Sequence, residues 1–153
     1  MFAMINRPGM TFINMQRSEG EFSLNQSKPA QNADEAQPEF GEAQVASLVA
    51  AFYRLVREDD LIGPMYPADD WSGAEQRLRD FLIFRFGGSD QYIRERGHPR
   101  LRMRHAPFKI GIEQRDRWLE IMKRAITETN VPKNRQLELE VFFGQVADFL
   151  RNV

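Results

Sequence analysis

The chain has no cysteine. Disulfides, thiolate metal centres, iron–sulfur clusters and cysteine nucleophiles are thereby excluded together, and any metal must be held by histidine, by carboxylates or by a cofactor's own ligands. Histidine is scarce: of 153 residues only 2 are His. They are His98 and His105, seven apart with Pro99 between them, a spacing that one helix cannot easily turn toward one ion. Zinc normally takes four ligands, and the sequence singles out no carboxylates to complete such a set. An excess of charge is lacking as well, since 21 basic and 22 acidic side chains leave a net charge of -1. That balance makes no field for a phosphate backbone or an anionic lipid surface, so neither nucleic acid nor membrane is an expected partner. No apolar run approaches the roughly 18 residues of a membrane span. The N-terminal MFAMINRPGM has neither the basic region nor the apolar stretch of a signal peptide, and a cytoplasmic protein is expected.

What is present describes a folding chain. A length of 153 residues suits one domain, and 42% hydrophobic with 28% charged residues are globular values. Residues 1–39 are rich in Asn, Gln, Ser, Gly and Pro without a 3.6-residue period, and are expected to be an N-terminal extension ahead of a domain at 40–153. Phe2, Met4, Ile5, Met10, Phe12, Ile13, Met15 and Phe22 give that extension more apolar material than a solvating tail needs, which allows docking on the domain or on a second subunit, as in a homodimer.

The domain reads as all-α. Val45, Leu48, Val49, Phe52, Leu55 and Val56 make one apolar stripe of a helix ending near residues 58–60. Gly63, Pro64 and Pro67 then force an irregular corner. A second helix starts at Trp71 or Ser72 and turns Ala74, Leu78, Phe81, Leu82 and Phe86 inward before Gly87-Gly88 stops it. A short helix is expected over 89–95. The breakers around GHPRLRMRHAP leave room for at most two helical turns. A long helix follows over 112–128, with Trp118, Leu119, Met122, Ala125 and Ile126 on its apolar face, and a last one over 137–151, burying Leu139, Phe142, Phe143, Val146, Phe149 and Leu150. Periodicity alone leaves a bundle and a globin-like crossing of helices equally open.

By its own context, His105 reads as a partly exposed histidine in an Arg-rich loop, and Tyr53, Tyr66 and Trp118 read as core aromatics with polar edges. Arg100, Arg102 and Arg104 could also be taken for a phosphate patch. The run GHPRLRMRHAPFKIGIEQRDRW over 97–118, however, closely resembles the proximal region of group II truncated haemoglobins, and the resemblance extends over about 42–128. It implies a truncated globin fold, two helices over two around a haem b, with an N-terminal extension added. It implies that His105, the His of the RHAPF segment, ligates the iron. Phe52-Tyr53 matches the family's early-helix pair, Met65-Tyr66-Pro67 its corner at the haem edge, Ala74 and Leu78 its distal-helix positions, and Trp118 its ligand-side indole. Arg77 and Arg104 fall where the family often salts the haem propionates.

The same resemblance implies a function. O–H and N–H donors at Tyr53, Tyr66 and Trp118 would stabilise negative charge building on dioxygen or another diatomic ligand, and a hydrogen bond of about 1.5–3 kcal/mol slows escape roughly ten- to a hundredfold. Ala74 cannot donate or block entry, whereas many globins have His or Gln there. Oxygen binding with slow release is therefore expected. The alternative is redox catalysis, as a peroxidase or nitric-oxide dioxygenase, with a reductase as partner; a helical interaction module that has lost its haem is the reading from another class.

Overall fold

The computed structural model describes residues 40–86 and 88–153. The expected extension at 1–39 lies outside the described residues. Within them the chain forms α1 (Glu42–Arg57), a 3₁₀ turn (Gly63–Met65), α2 (Trp71–Arg85), α3 (Gln91–Arg96), α4 (Leu101–His105), α5 (Ile112–Glu128) and α6 (Lys133–Leu150), with no strand among the described residues. The all-α expectation is met.

Helix ends follow local chemistry. At the end of α5, Asn130 adopts a left-handed φ of 51°, a conformation that costs Asn less than most side chains. Its N–H donates to the Thr127 carbonyl at 3.2 Å while the Val131 N–H donates to Ile126 at 3.3 Å; together they close the last turn, with Val131 buried beside it. Beyond α2, the Gly88 N–H reaches back to the Ile83 carbonyl at 2.8 Å in the same manner. Between α3 and α4 the chain reverses through two left-handed residues, Gly97 (φ 69°) and Arg100 (φ 42°). α6 begins four residues before the expected 137. Its first turn, Lys133 to Gln136, is polar and invisible to hydrophobic periodicity, but Arg135 and Gln136 donate to the Pro132 carbonyl at 2.8 and 3.1 Å and start the helix there.

The packing is two pairs of helices, α1 with α2 and α5 with α6, joined through α1 against α5. α3 packs on α2, and α4 packs on α6. Val45, Leu48, Val49, Phe52 and Val56 of α1 are buried against Trp118, Met122, Ala125 and Ile126 of α5 and Phe143 and Val146 of α6 in one continuous core. Each large apolar side chain so buried contributes about 1.5–3 kcal/mol. Phe86, Leu119 and Phe149, expected on buried faces, are only half-buried.

The corner after α1 is fixed by two features. Asp59 Oδ1 accepts the N–H groups of Leu61 and Ile62 at 3.0 and 2.9 Å, and its Oδ2 pairs with Arg117 of α5 at 3.0 Å. Burial pushes the Asp59 carboxyl upward, but those N–H bonds and Arg117 outweigh it and hold the pKa below its ordinary value. Gly63 sits so close to the end of α1 that a Cβ there would lie 2.7 Å from the Val56 carbonyl oxygen. Backbone cannot yield as a side-chain end can, so this position requires glycine.

Candidate functional site

His105 closes a helix of five residues bracketed by Pro99 and Pro107. Its side chain points inward, and the residue is 2% exposed. Nδ1 lies 2.6 Å from the Leu101 carbonyl one turn earlier. A carbonyl only accepts, so Nδ1 carries the proton, and in the neutral ring the basic lone pair belongs to Nε2. A metal-ligating imidazole is oriented in this way. His98, by contrast, is exposed, with Nδ1 turned back to the Arg100 N–H at 3.4 Å. The partly exposed loop position that local context gives His105 is thus corrected: His105 is a core residue, and His98 is the exposed one.

On the side carried by α1, α2 and α5 the structure brings together the aromatics singled out in the sequence. Tyr53 and Tyr66 meet edge to face at 5.7 Å, Phe52 lies 5.3 Å from Tyr53 and 5.1 Å from Trp118, and Trp118 meets Phe143 at 5.5 Å. Tyr53, Tyr66, Trp118, Ala74 and Leu78 are all buried. The Tyr53 hydroxyl is enclosed and has no hydrogen-bond partner among the described residues. Burial, with the neighbouring Tyr66 adding to it, pushes the Tyr53 pKa well above the ordinary phenol value, although Arg77 pulls the other way. Burial raises Tyr66 too, against a hydrogen bond involving Trp118. Both phenols therefore keep their protons at any physiological pH and remain O–H donors.

Trp71, read in the sequence only as a helix start, belongs to this cluster. It stacks on Tyr66 at 5.4 Å and 17°, lies 6.4 Å from Tyr53, and carries the Arg57 guanidinium 5.2 Å above its ring. Arg77 is buried rather than solvated and pairs with Asp70 at 2.7 Å. Gly73 makes space for that pair, since a Cβ there would lie 2.2 Å from Asp70 Oδ1 and 2.8 Å from Arg77 Nη1. Arg104 is half-buried and donates to the Arg96 carbonyl at 3.0 Å. Burial raises the pKa of Tyr92, opposed by the charges of Arg104, Arg96 and Arg77. Arg96 and Tyr92 were not singled out in the sequence; nothing in their spacing marks them.

Among the described residues no group of three or more histidines and carboxylates could hold a bare metal ion. One imidazole with an oriented lone pair, a buried donor without a partner, and arginines able to meet carboxylates form instead the donor set of a group that brings its own metal ligands. They fit haem, whose porphyrin supplies four nitrogens and asks the protein for one. Two open cavities, of about 200 and 410 Å³, lie elsewhere, one between α5 and α6 beside Met122 and Phe143, the other between Phe86 and the outer face of α6.

Four long helices paired two over two, a short helix presenting one buried imidazole, and an opposing aromatic donor cluster define a haem-binding globin of truncated form. The chain belongs to the bacterial-like globin family, whose model matches residues 40–151. It is 41% identical over 86 residues to the group 2 truncated hemoglobin YjbI of Bacillus subtilis, covering 56% of this chain and 64% of that relative, just under two thirds of its length. The hemoglobin of the thermophilic phototrophic bacterium Chloroflexus aurantiacus matches with a TM-score of 0.70 and 43% identity, over 74% of this chain and 93% of that one. The truncated oxygen-avid haemoglobin of Bacillus subtilis matches with a TM-score of 0.69 and 34% identity, over 74% and 95%.

Proposed function

We propose that this globin binds haem b through Nε2 of His105 and holds dioxygen with slow release. The observation that carries the reading is the pairing of a buried imidazole oriented by the Leu101 carbonyl with a buried Tyr53 hydroxyl that has no partner among the described residues. When bound, the haem supplies a ferrous iron that takes up a diatomic ligand. Tyr53 then has a function for a hydroxyl whose burial is otherwise costly: it donates to the ligand. Tyr66 and Trp118 complete the polar face, Trp71 covers it through its stack on Tyr66, and the closed apolar surroundings exclude water. Arg77 and Arg104 are the candidate partners of the propionates, with Arg96 beside them, because guanidinium groups pair bidentately with carboxylates. Similarity to an oxygen-avid haemoglobin supports the same reading.

A second reading, redox chemistry on peroxide or nitric oxide with a reductase as partner, is favoured by the same donors, which would assist O–O chemistry electrostatically. A cytoplasmic setting is part of the proposal for either role; among the described residues no helix is long and apolar enough to cross a membrane.

The test is spectroscopic. Protein purified from haem-replete cells is expected to show a Soret band, abolished or severely reduced in His105→Ala and unchanged in His98→Ala. Retention of the band in His105→Ala would sink the assignment. Slow oxygen dissociation with little turnover of nitric oxide or peroxide supports holding; rapid turnover supports the second reading.

A further inference from the structure

The two residues after Arg151 carry no sequence pattern, yet Asn152 makes four hydrogen bonds to a single loop. Its backbone N–H donates to the Ile110 carbonyl at 3.0 Å. The Ile110 N–H donates in return to Asn152 Oδ1 at 2.9 Å. Asn152 Nδ2 donates to the Phe108 carbonyl at 2.7 Å and to the His105 carbonyl at 3.3 Å. Only one orientation of the amide serves these partners, since reversing it would set an NH₂ against an N–H and an oxygen against two carbonyls.

Within the loop itself the Phe108 N–H donates to the His105 carbonyl at 3.0 Å, and the remaining groups have few partners of their own. α4 has ended at His105, and Pro107 has no N–H to give. Ile110 is fully buried, and buried backbone groups must be paired. Asn152 thus substitutes for helical partners on both sides of the turn that leaves His105. The imidazole itself is anchored one turn earlier by Leu101 O, so the two ends of the His105 residue, ring and carbonyl, are held by different parts of the chain.

We propose that Asn152 is a positioning residue for His105: its side-chain amide fixes the loop 105–110 and, through the His105 carbonyl, the angle at which the imidazole meets the iron. The proposal rests on the reading that His105 ligates haem. With the amide removed, the ring keeps its Leu101 bond and the His105 carbonyl keeps the Phe108 N–H, but the loop loses its tie to the end of α6, and a wider spread of imidazole orientations follows.

The test uses the full chain, haem-loaded and haem-free, with Asn152→Ala and Asn152→Asp. In the ferrous protein Asn152→Ala is expected to shift or broaden the iron–histidine stretch in resonance Raman spectra and to speed haem transfer to an excess acceptor about tenfold, the effect of losing one or two hydrogen bonds. In the haem-free protein it should accelerate amide exchange at Ile110 with helical content unchanged. Asn152→Asp keeps an acceptor for the Ile110 N–H but cannot donate to His105 or Phe108. Slow Ile110 exchange combined with a moved iron–histidine band is therefore expected of it. A parental band and parental haem loss in Asn152→Ala would overturn the proposal, even if the melting temperature fell. Loss of the underlying reading looks different: the Soret band would be absent from the parent chain, or would persist in His105→Ala.

Discussion

The two sides of the site are built on opposite plans. The side carried by α1, α2, α5 and the corner at Tyr66 is made of packed rings, set edge to face, tilted or stacked at 5.1–6.4 Å, with the Tyr53 hydroxyl buried and without a partner among the described residues. The His105 side is made of backbone: a five-residue helix, a ring bonded to a carbonyl, and a loop tied at four points to Asn152. Ring packing on rigid helices tolerates a missing hydrogen bond, because the apolar contacts around it hold the geometry. A short loop has no such reserve, and every polar group in it must be satisfied for the shape to persist. The contrast suggests that one side is shaped to receive a ligand and the other to stay still.

Tyr53→Phe tests that contrast most sharply. It should speed oxygen release from the haem-loaded protein by roughly ten- to a hundredfold, while leaving the iron–histidine stretch where it was. In the haem-free chain the same change removes a buried, unsatisfied hydroxyl and should raise stability by about 1 kcal/mol. Weaker oxygen retention together with higher thermal stability is the expected signature; a fall in both retention and stability would mean that the hydroxyl has a partner within the fold. Gly63→Ala comes next. Its Cβ would meet the Val56 carbonyl at 2.7 Å, and overpacking of this kind costs about 1–3 kcal/mol. Because Tyr66 follows the same corner, ligand kinetics should change as well, with Ile110 exchange unaffected. The smallest effect is expected at Asp59. Its pKa is depressed in the folded chain, so its contribution is complete above the unfolded value of about 3.9 and disappears as the pH falls through the lower folded value. Asp59→Asn should cost about 1 kcal/mol near neutrality, by loss of the charged partner of Arg117, and should flatten the acid limb of the stability curve; equal acid sensitivity in parent and variant would place that sensitivity at another group.

Much of the fold was legible because burial has a period. α1 and α5 present one apolar stripe each, and their bounds follow from it. The first turn of α6 has no apolar member, so it could be found only from the carbonyl of Pro132. The site was legible in a different way. Arg104 and Ala106 around His105 give no sign that the ring is buried, and the resemblance over 97–118 rather than composition singled it out. The Asp70–Arg77 pair spans seven positions of α2 and its cap, but no apolar period marks it. Trp71 joins the aromatic cluster through Tyr53 of α1, and the clamp at Asn152 lies 47 positions from His105; both depend on residues that meet only after the helices have packed.

The length of α4 has a further consequence. Helices shorter than about 12 residues are marginal alone, because nucleation fixes several residues for the first bond, and α4 has five. Its order is therefore conferred by its surroundings. When a protein opens in parts, such segments open at a smaller free energy than the long helices of the core. In the haem-free globin α4 is then expected to open at a smaller free energy than α1 and α5, so the stillness of the His105 side is lent to it by the packing and by Asn152 rather than by the helix itself.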